Sequence, residues 1–401
     1  MSSTAFDVTD APLTIAHVNT HDLAGGAARV MERLCRAQTR RGHTASMCVA
    51  CKASGWPNSY QLFDALRPHD PQGREAIEAA DVIHLHNLHG GYFDLSMLPD
   101  WGKEKPLVWT LHDSHPLTGQ CFTPMDCTGW RDGCLPCQHP NYSPGEIDEI
   151  PASKIWQYKR HIYRVTPNLT IVCPSAWMAN NVRQSILGEK PTHVVHNGVE
   201  TNIFVPMDKR ALRRKHKFSE DEFIIGGAAH GGVTTSDLRG GDVVRGILDA
   251  IPGLTYLDIG RVPQWREGEA HADRIIPCGQ TFDSARVVEL MNLLDVFVYP
   301  TRGDNCPLVL IEAMACGLPI ITSEVGGVLE IVGQESGYTM PAPGADWMAP
   351  AVERLRDDPV ERGRFGLRAR HRAVAEFGLD ACAAGYEQIY RRAIREAQIG
   401  G

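Results

Sequence analysis

The sequence predicts an α/β protein built from two doubly wound parallel-sheet domains that face one another across a cleft. Three observations lead there. A chain of 401 residues exceeds one ordinary core, so two domains of roughly 150–200 residues each are expected. Short apolar runs alternate with segments of helical spacing along the whole chain. That is the pattern of parallel strands buried on both faces and joined by right-handed crossovers. The alternation also restarts at Phe223, after a charged run over 208–217 that marks the boundary. Such Rossmann-like domains bind ligands at the carboxyl edges of their strands.

Composition narrows the class. Hydrophobic residues make up 43% and charged residues 22%, as in soluble globular proteins. No apolar run reaches the roughly 18–20 residues that span a bilayer. The opening MSSTAFDVTDAPL lacks the basic start and apolar middle of a secretory signal. A net charge of −8 argues against nucleic acid as a partner. A cytoplasmic enzyme is the expectation, so most of the twelve cysteines should be reduced. Eight of them (Cys35, Cys48, Cys51, Cys173, Cys278, Cys306, Cys316 and Cys382) are scattered and read as small buried hydrophobes.

In the first half, residues 13–18 form a buried strand, and a helix with Val30, Met31, Leu34 and Ala37 at helical spacing follows. The turn between them holds Gly25 and Gly26, where backbone can approach a ligand closely. A tight turn reads equally well, and G-x-G-x-x-G is absent. Strands follow at 45–50, 81–86 and 106–111. His84, His86 and His89 suggest a metal or, since no carboxylate or cysteine completes the set, a polar rim lining the cleft. His112-Asp113 ends the fourth strand, placed either to meet ligand or to form a structural His–Asp bond. Next come Cys121, Cys127, Cys134 and Cys137, flanked by His115 and His139 in a Gly- and Pro-rich loop over 115–140. Cys134-x2-Cys137 has zinc-ligand spacing, so a structural zinc ranks first, reduced thiols second and disulfides last. The basic, aromatic run 153–164 reads as a helix with a solvated face, or as a contact for a membrane surface or anionic acceptor. A further strand spans Leu169–Cys173.

The second half begins with a strand over 223–229 and the loop His230-Gly231-Gly232. Arg239 at the next turn is a phosphate ligand or a surface arginine. Strands at 254–259 and 274–277 lead to the densest stretch, residues 299–327, YPTRGDNCPLVLIEAMACGLPIITSEVGG. It follows an apolar strand over 294–299 and opens a helix, with Asn305 expected as N-cap and Pro307 at the first helical position. Gly317 and Pro319 end the helix before another strand, 318–322. A helix N-terminus aimed out of a sheet's carboxyl edge is an anion site. Asp304 and Glu312 bracket it, either as cap and salt-bridge partner or as acceptors for sugar hydroxyls. The tail, 379–397, is a helix with Ala383, Tyr386, Ile389 and Tyr390 on one face. It has no sheet of its own and is expected to pack back on the first domain. The expected domains are thus 1–203, 204–378 and the helix 379–401.

Taken together, Gly25-Gly26-Ala27, Thr110-Leu111-His112-Asp113, His196-Asn197-Gly198-Val199-Glu200 and Asp304-x7-Glu312 followed by Ala313 to Pro319 resemble the retaining glycosyltransferases of family GT4. The chain is most similar to the branch making bacterial exopolysaccharide such as colanic acid, which carries a similar cysteine cluster. The resemblance covers nearly the whole chain and implies the GT-B fold. It also implies roles. Gly25 and Gly26 would meet the donor diphosphate and acceptor, and His112 the donor sugar near the reacting carbon. Arg239 stands at a phosphate-binding position that usually holds lysine, helped by His230. Backbone around Asn305, Cys306, Pro307, Leu308 and Val309 would hold the diphosphate, Glu312 the ribose and Asp304 the sugar. Asp304 departs from the usual glutamate and shortens the reach to the sugar.

The implied reaction moves a sugar, with retention, from a nucleotide-diphosphate sugar to a hydroxyl of a saccharide, lipid-linked or natural-product acceptor. It needs no catalytic cofactor or metal, because Arg239 and the helix terminus would meet the leaving charge. The lipid-linked case places the enzyme at the inner face of the membrane, in peripheral contact. Three rivals share parts of this pattern, one of them a non-catalytic zinc-stabilised binding module, which would need the donor cleft to be vestigial. A nucleotide-sugar epimerase or hydrolase would need no acceptor, and an NAD-dependent oxidoreductase lacks its glycine fingerprint here.

Overall fold

The computed structural model describes residues 11–62, 70–137, 150–262 and 271–400. The chain divides into two units, the first made of residues 1–174, 178–195 and 382–401 and the second of 175–177 and 196–381. The first unit ends before the expected boundary at 203, for a local reason. Val199 forms a parallel bridge with Gly378, with Val199 N–H donating to Phe377 O (2.9 Å) and Leu379 N–H to Val199 O (2.9 Å). Those bonds tie the connecting segment into the second unit.

The first unit contains β1 (Thr14–His21), α1 (Gly26–Arg40), β2 (Thr44–Cys51), β3 (Ser59–Gln61), α2 (Pro71–Glu78), β4 (Val82–Leu85), α3 (Leu98–Glu104), β5 (Leu107–Thr110), α4 (Ala152–Val165), β6 (Leu169–Cys173), α5 (Ala176–Arg183, from Met178 onward) and β7 (Thr192–Val194). Its seven strands are all parallel, in the order β3-β2-β1-β4-β5-β6-β7. Met31 and Cys35 of α1 pack on Ala45, Met47 and Val49 of β2, all fully buried. Each large apolar side chain so buried contributes about 1.5–3 kcal/mol. Neither β3 nor α2 announces itself by apolar periodicity. Asp70 caps α2 by accepting from Gln72 N–H (3.0 Å).

The second unit contains α6 (Lys209–His216), β8 (Ile224–Ala228), α7 (Gly241–Ala250), β9 (Thr255–Ile259), β10 (Ile275–Pro277), α8 (Ser284–Asn292), β11 (Val296–Tyr299), α9 (Leu308–Ala315), β12 (Ile320–Ser323), α10 (Val328–Val332), β13 (Gly337–Met340), α11 (Ala345–Asp357) and α12 (Pro359–Glu376). Six parallel strands run β10-β9-β8-β11-β12-β13. Val244, Ile247 and Leu248 of α7 pack with Met348, Val352 and Leu355 of α11 over β8, β9 and β11. The charged run taken as a boundary marker is α6. Asp208 caps it, and Arg213 pairs with Asp295 at 2.6 Å beneath it.

The final helix, α13 (Leu379–Gly400), belongs to the first unit from Cys382 onward. There Tyr386 and Tyr390 are fully buried, bonded to Thr110 (2.9 Å) and His84 (2.7 Å). Among the described residues no helix is long and apolar enough to cross a membrane.

Candidate active site

In each sheet the strand order turns back at one place, between β1 and β4 in the first and between β8 and β11 in the second. Loops leaving the carboxyl ends of such strand pairs diverge and open a crevice. The expected residues lie on those loops or the ones beside them.

In the first unit, Gly25 precedes α1 with φ +89°, a conformation that favours glycine. A Cβ built on Gly25 or Gly26 would meet nothing within 4 Å. Neither glycine is required by protein packing, and the space above the N-terminus of α1 is open. His112 follows β5, half-buried, with Nε2 2.8 Å from His86 Nδ1. Burial pulls its pKa down to about 4 against the opposing charge of Asp113, so at neutral pH it is an uncharged imidazole. The alternative His112–Asp113 bond is not formed. Asp113 Oδ2 pairs with His89 at 3.0 Å, and Oδ1 accepts from His115 N–H (2.9 Å). The expected rim of His84, His86 and His89 is corrected as well, because His84 and His86 are completely buried inside the unit.

The expected solvated helix is α4, and its burial corrects that reading in part. Lys154, Arg160 and Arg164 are exposed, but Trp156, Ile162, Tyr163 and Lys159 face inward. Lys159 Nζ donates to the carbonyls of His115 (2.8 Å), Thr118 (3.1 Å) and Gly119 (2.9 Å). It thereby pins the loop that leads to the cysteines. Cys121, Cys127, Cys134 and Cys137 line one pocket with Trp130 and Pro136, all as free thiols. Burial, then the neighbouring thiols, pushes Cys121 up to about 11, and burial raises Cys134 too. Gly119 N–H donates to Cys134 Sγ (3.2 Å), a bond that favours thiolate. His139 lies outside the described residues.

In the second unit, Arg302 N–H donates to Leu238 O (2.9 Å), and its guanidinium binds Asp242 at 2.8 and 2.6 Å. These bonds stitch the loop after β8 to the loop after β11 and set Arg239 close enough to Asp304 to lower its pKa. Arg239 N–H donates to Ser236 O (3.1 Å), and among the described residues its guanidinium makes no hydrogen bond or ion pair. Asp304 Oδ2 accepts from Tyr299 hydroxyl (2.7 Å) and Oδ1 from Asn305 N–H (2.7 Å). Burial raises its pKa, and the Tyr299 bond and the Arg239 charge counter this only in part.

Pro307 is the N-cap of α9, so helix begins one residue later than expected, and no side chain caps it. Asn305 instead binds Ser175 Oγ through Oδ1 (2.5 Å), and Cys306 O accepts from Asn197 Nδ2 (3.0 Å). This leaves the first N–H groups of α9, from Leu308 and Val309, for a ligand. Pro307 has no N–H to offer. Glu312 lies buried in the second turn of α9. His230 is exposed, with Nδ1 2.7 Å from Gln280 Nε2.

Sequence reasoning passed over Asp258. At the end of β9 it accepts from Val233 N–H (2.7 Å), Thr234 N–H (3.1 Å) and Thr234 Oγ1 (2.5 Å), and so shapes the loop before Arg239. A lone acid inside an apolar strand was the signal available.

Two family models match the chain: glycosyltransferase family 4 over residues 24–203, and glycosyl transferases group 1 over 245–358. The colanic acid biosynthesis glycosyl transferase WcaC of Escherichia coli, a putative one, is 25% identical over 270 residues, 65% of this chain and 64% of that protein. The chain thus spans less than two thirds of that relative. D-inositol 3-phosphate glycosyltransferase 2 of Catenulispora acidiphila is 36% identical over 374 residues, 83% of this chain and 79% of that protein. Among solved structures, sucrose-phosphate synthase from Thermosynechococcus elongatus superposes with TM-score 0.69 at 18% identity, covering 95% of this chain and 99% of that one. HepE of Anabaena, solved with UDP-glucose, gives 0.65 at 15% identity over 97% and 100%. At those identities the likeness is one of fold, the two parallel-sheet domains expected from sequence. With a relative that similar over most of both lengths, and with both halves matched, the chain belongs to glycosyltransferase family 4.

Proposed function

We propose that this protein transfers a sugar, with retention, from a nucleoside-diphosphate sugar to a hydroxyl of a saccharide, lipid-linked or small-molecule acceptor. The observation that carries the reading is the group at the β8–β11 turn-back. There the Arg239 guanidinium, which makes no hydrogen bond or ion pair among the described residues, lends its charge to Asp304 and Tyr299, on loops stitched together ahead of α9. Arg239 and the N–H groups of Leu308 and Val309 then hold the diphosphate and stabilise its charge as it leaves. Glu312 takes the ribose hydroxyls, and Asp304 the sugar. His230 supports the phosphates from the neighbouring loop. Gly25, Gly26 and His112 supply the first unit's contacts, the glycines by close backbone approach and His112 through a neutral ring. The acceptor hydroxyl enters beside the departing phosphate, and no metal is needed. The protein acts in the cytoplasm, and with a lipid-linked acceptor it works at the inner face of the membrane.

A structural zinc on Cys121, Cys127, Cys134 and Cys137 completes the reading. Cys121, Cys127, Cys134 and Cys137 line one pocket as free thiols, a donor type suited to zinc. Zinc there would hold together the loop that carries them. Metal analysis of the purified protein, before and after chelation, should find about one zinc per chain, lost in Cys134→Ser/Cys137→Ser.

A thermal-shift screen of nucleotide sugars, followed by mass spectrometry of products with candidate acceptors, identifies donor and acceptor. With that donor, Glu312→Ala and Arg239→Ala should each reduce turnover at least ~100-fold in folded protein. Near-wild-type transfer by both would sink the site assignment. Donor cleavage without any acceptor requirement would favour the hydrolase reading.

A further inference from the structure

His17 of β1, His84 of β4 and His86 bring ring nitrogens within 4.8 Å of one another inside the first unit. Register places them there. His17 pairs with His84 across the two strands, and His86 lies two residues further on the same side. Three such nitrogens resemble a metal site, but each of the six in the trio already has a hydrogen-bond partner. His84 sits between Tyr390 hydroxyl (2.7 Å) and Thr110 Oγ1 (2.7 Å). His17 sits between Gln38 Oε1 (2.8 Å) and His86 Nε2 (3.0 Å), and His86 Nδ1 meets His112 Nε2 at 2.8 Å. The His86 and His112 rings are parallel within 8° with centroids 5.1 Å apart, and those of His17 and His86 within 24° at 5.3 Å. At these nitrogen separations the rings lie end to end, and each bond runs in the ring plane along a lone pair.

A neutral imidazole donates at one nitrogen and accepts at the other, so one fixed end sets the direction of the whole row. That end is Gln38. Its Nε2 donates to Tyr390 hydroxyl (3.1 Å), which in turn donates to His84 Nδ1, and this turns Oε1 toward His17. His17 therefore donates from Nε2 and accepts at Nδ1 from His86. His86 then accepts at Nδ1 from His112 Nε2–H. Burial keeps the row uncharged, with His17 and His112 lowered to about 4 and His86 well below its usual range.

We propose that Gln38, locked by Tyr390, is a positioning residue that fixes His112 as the Nε2–H tautomer, so that Nδ1 meets the ligand as an acceptor for a hydroxyl proton. The functional half rests on His112 contacting the donor sugar. Histidine labelled with 15N, with His112 assigned by its loss in His112→Gln, reports the tautomer directly. Wild type should show Nε2–H alone. Gln38→Met removes the acceptor, and Tyr390→Phe frees the amide to turn. Both should mix the tautomers and lower kcat about tenfold at unchanged donor KM. Gln38→Glu, which still accepts from His17, should restore the single tautomer. An Nδ1–H tautomer in wild type, or an unaltered His112 spectrum in both folded variants, overturns the proposal. Full turnover by His112→Gln overturns the donor-contact reading instead, and the spectrum still judges the hydrogen-bonded row.

Discussion

Lys159→Met tests how the loop after His112 is held. Lys159 is only 2% exposed, and its ammonium is shared among three carbonyls at 2.8, 3.1 and 2.9 Å. Each charge-assisted bond contributes about 1.5–3 kcal/mol. Burying the ammonium opposes that gain, so the three do not add. Methionine keeps the packed aliphatic stem, and the loss is therefore of polar bonds: Thr118 O and Gly119 O lose their donor, and His115 O keeps Thr118 N–H (3.3 Å). Leaving a buried acceptor unsatisfied costs about 1–3 kcal/mol, so the two carbonyls together cost roughly 2–5 kcal/mol. For a unit of this size that lowers the unfolding midpoint by roughly 2–4 °C per kcal/mol. Thermal unfolding followed by circular dichroism reads the loss, and hydrogen exchange should show it concentrated in residues 114–121. Lys154→Met on the exposed face of α4 is the control and should stay within about 0.5 kcal/mol of wild type. A loss below about 1 kcal/mol for Lys159→Met would refute the reasoning, because the carbonyls would then be satisfied without it.

Three further outcomes follow from the same geometry. Burial opposes ionisation of Glu387, but Arg391 (2.8 Å), Arg41 (2.8 Å) and His43 (3.3 Å) outweigh it and hold the carboxyl at about 2, below the usual 4.5. Because the folded value is depressed, the stabilisation is present above pH 4.5 and lost as pH falls through 2. Glu387→Gln should cost about 1 kcal/mol at pH 7 after screening, and its difference from wild type should close in that window on acid titration of stability. Tyr299→Phe removes the hydroxyl that pulls Asp304 downward, so the carboxyl should rise further. Stability should drop by about 1–2 kcal/mol and donor binding should weaken by calorimetry, and no change in either would contradict the pairing. Gly25→Ala meets no clash but is strained at φ +89°, at about 1 kcal/mol. Turnover should fall by more than ~10-fold if backbone there meets ligand, and a loss no larger than the stability change would argue against that contact.

The sheet strands were legible wherever they were apolar, since a strand buried on both faces must read as a continuous hydrophobic run. Leu169–Cys173 was read to the residue, and most others within two residues of their ends. The three-residue β3 and β7 and the mixed β13 were missed, because their neighbours in the sheet, not their composition, make them strands. Among the candidate residues of the two units, Gly25, Gly26, Arg239, Asp304 and Glu312 stood out through glycine patterning, strand-to-helix turns and acid spacing.

Partner choice was another matter. Asn305 looks like a helix cap from its place before Pro307, yet it binds Ser175, 130 positions away. Lys159 looks like one more charge on a basic helix, and only the burial of α4 turns it inward. His17 carries no local signal at all. It meets His86 because β1 lies beside β4 in a parallel sheet, and Gln38 and Tyr390 arrive from helices packed on that pair. Sequence by itself determined the alternation of elements, and with it the two sheets, because hydrophobic burial and turn chemistry are local and periodic. Tertiary structure alone decided which polar groups meet, because hydrogen bonds between distant residues depend on strand order and register, which no local pattern records.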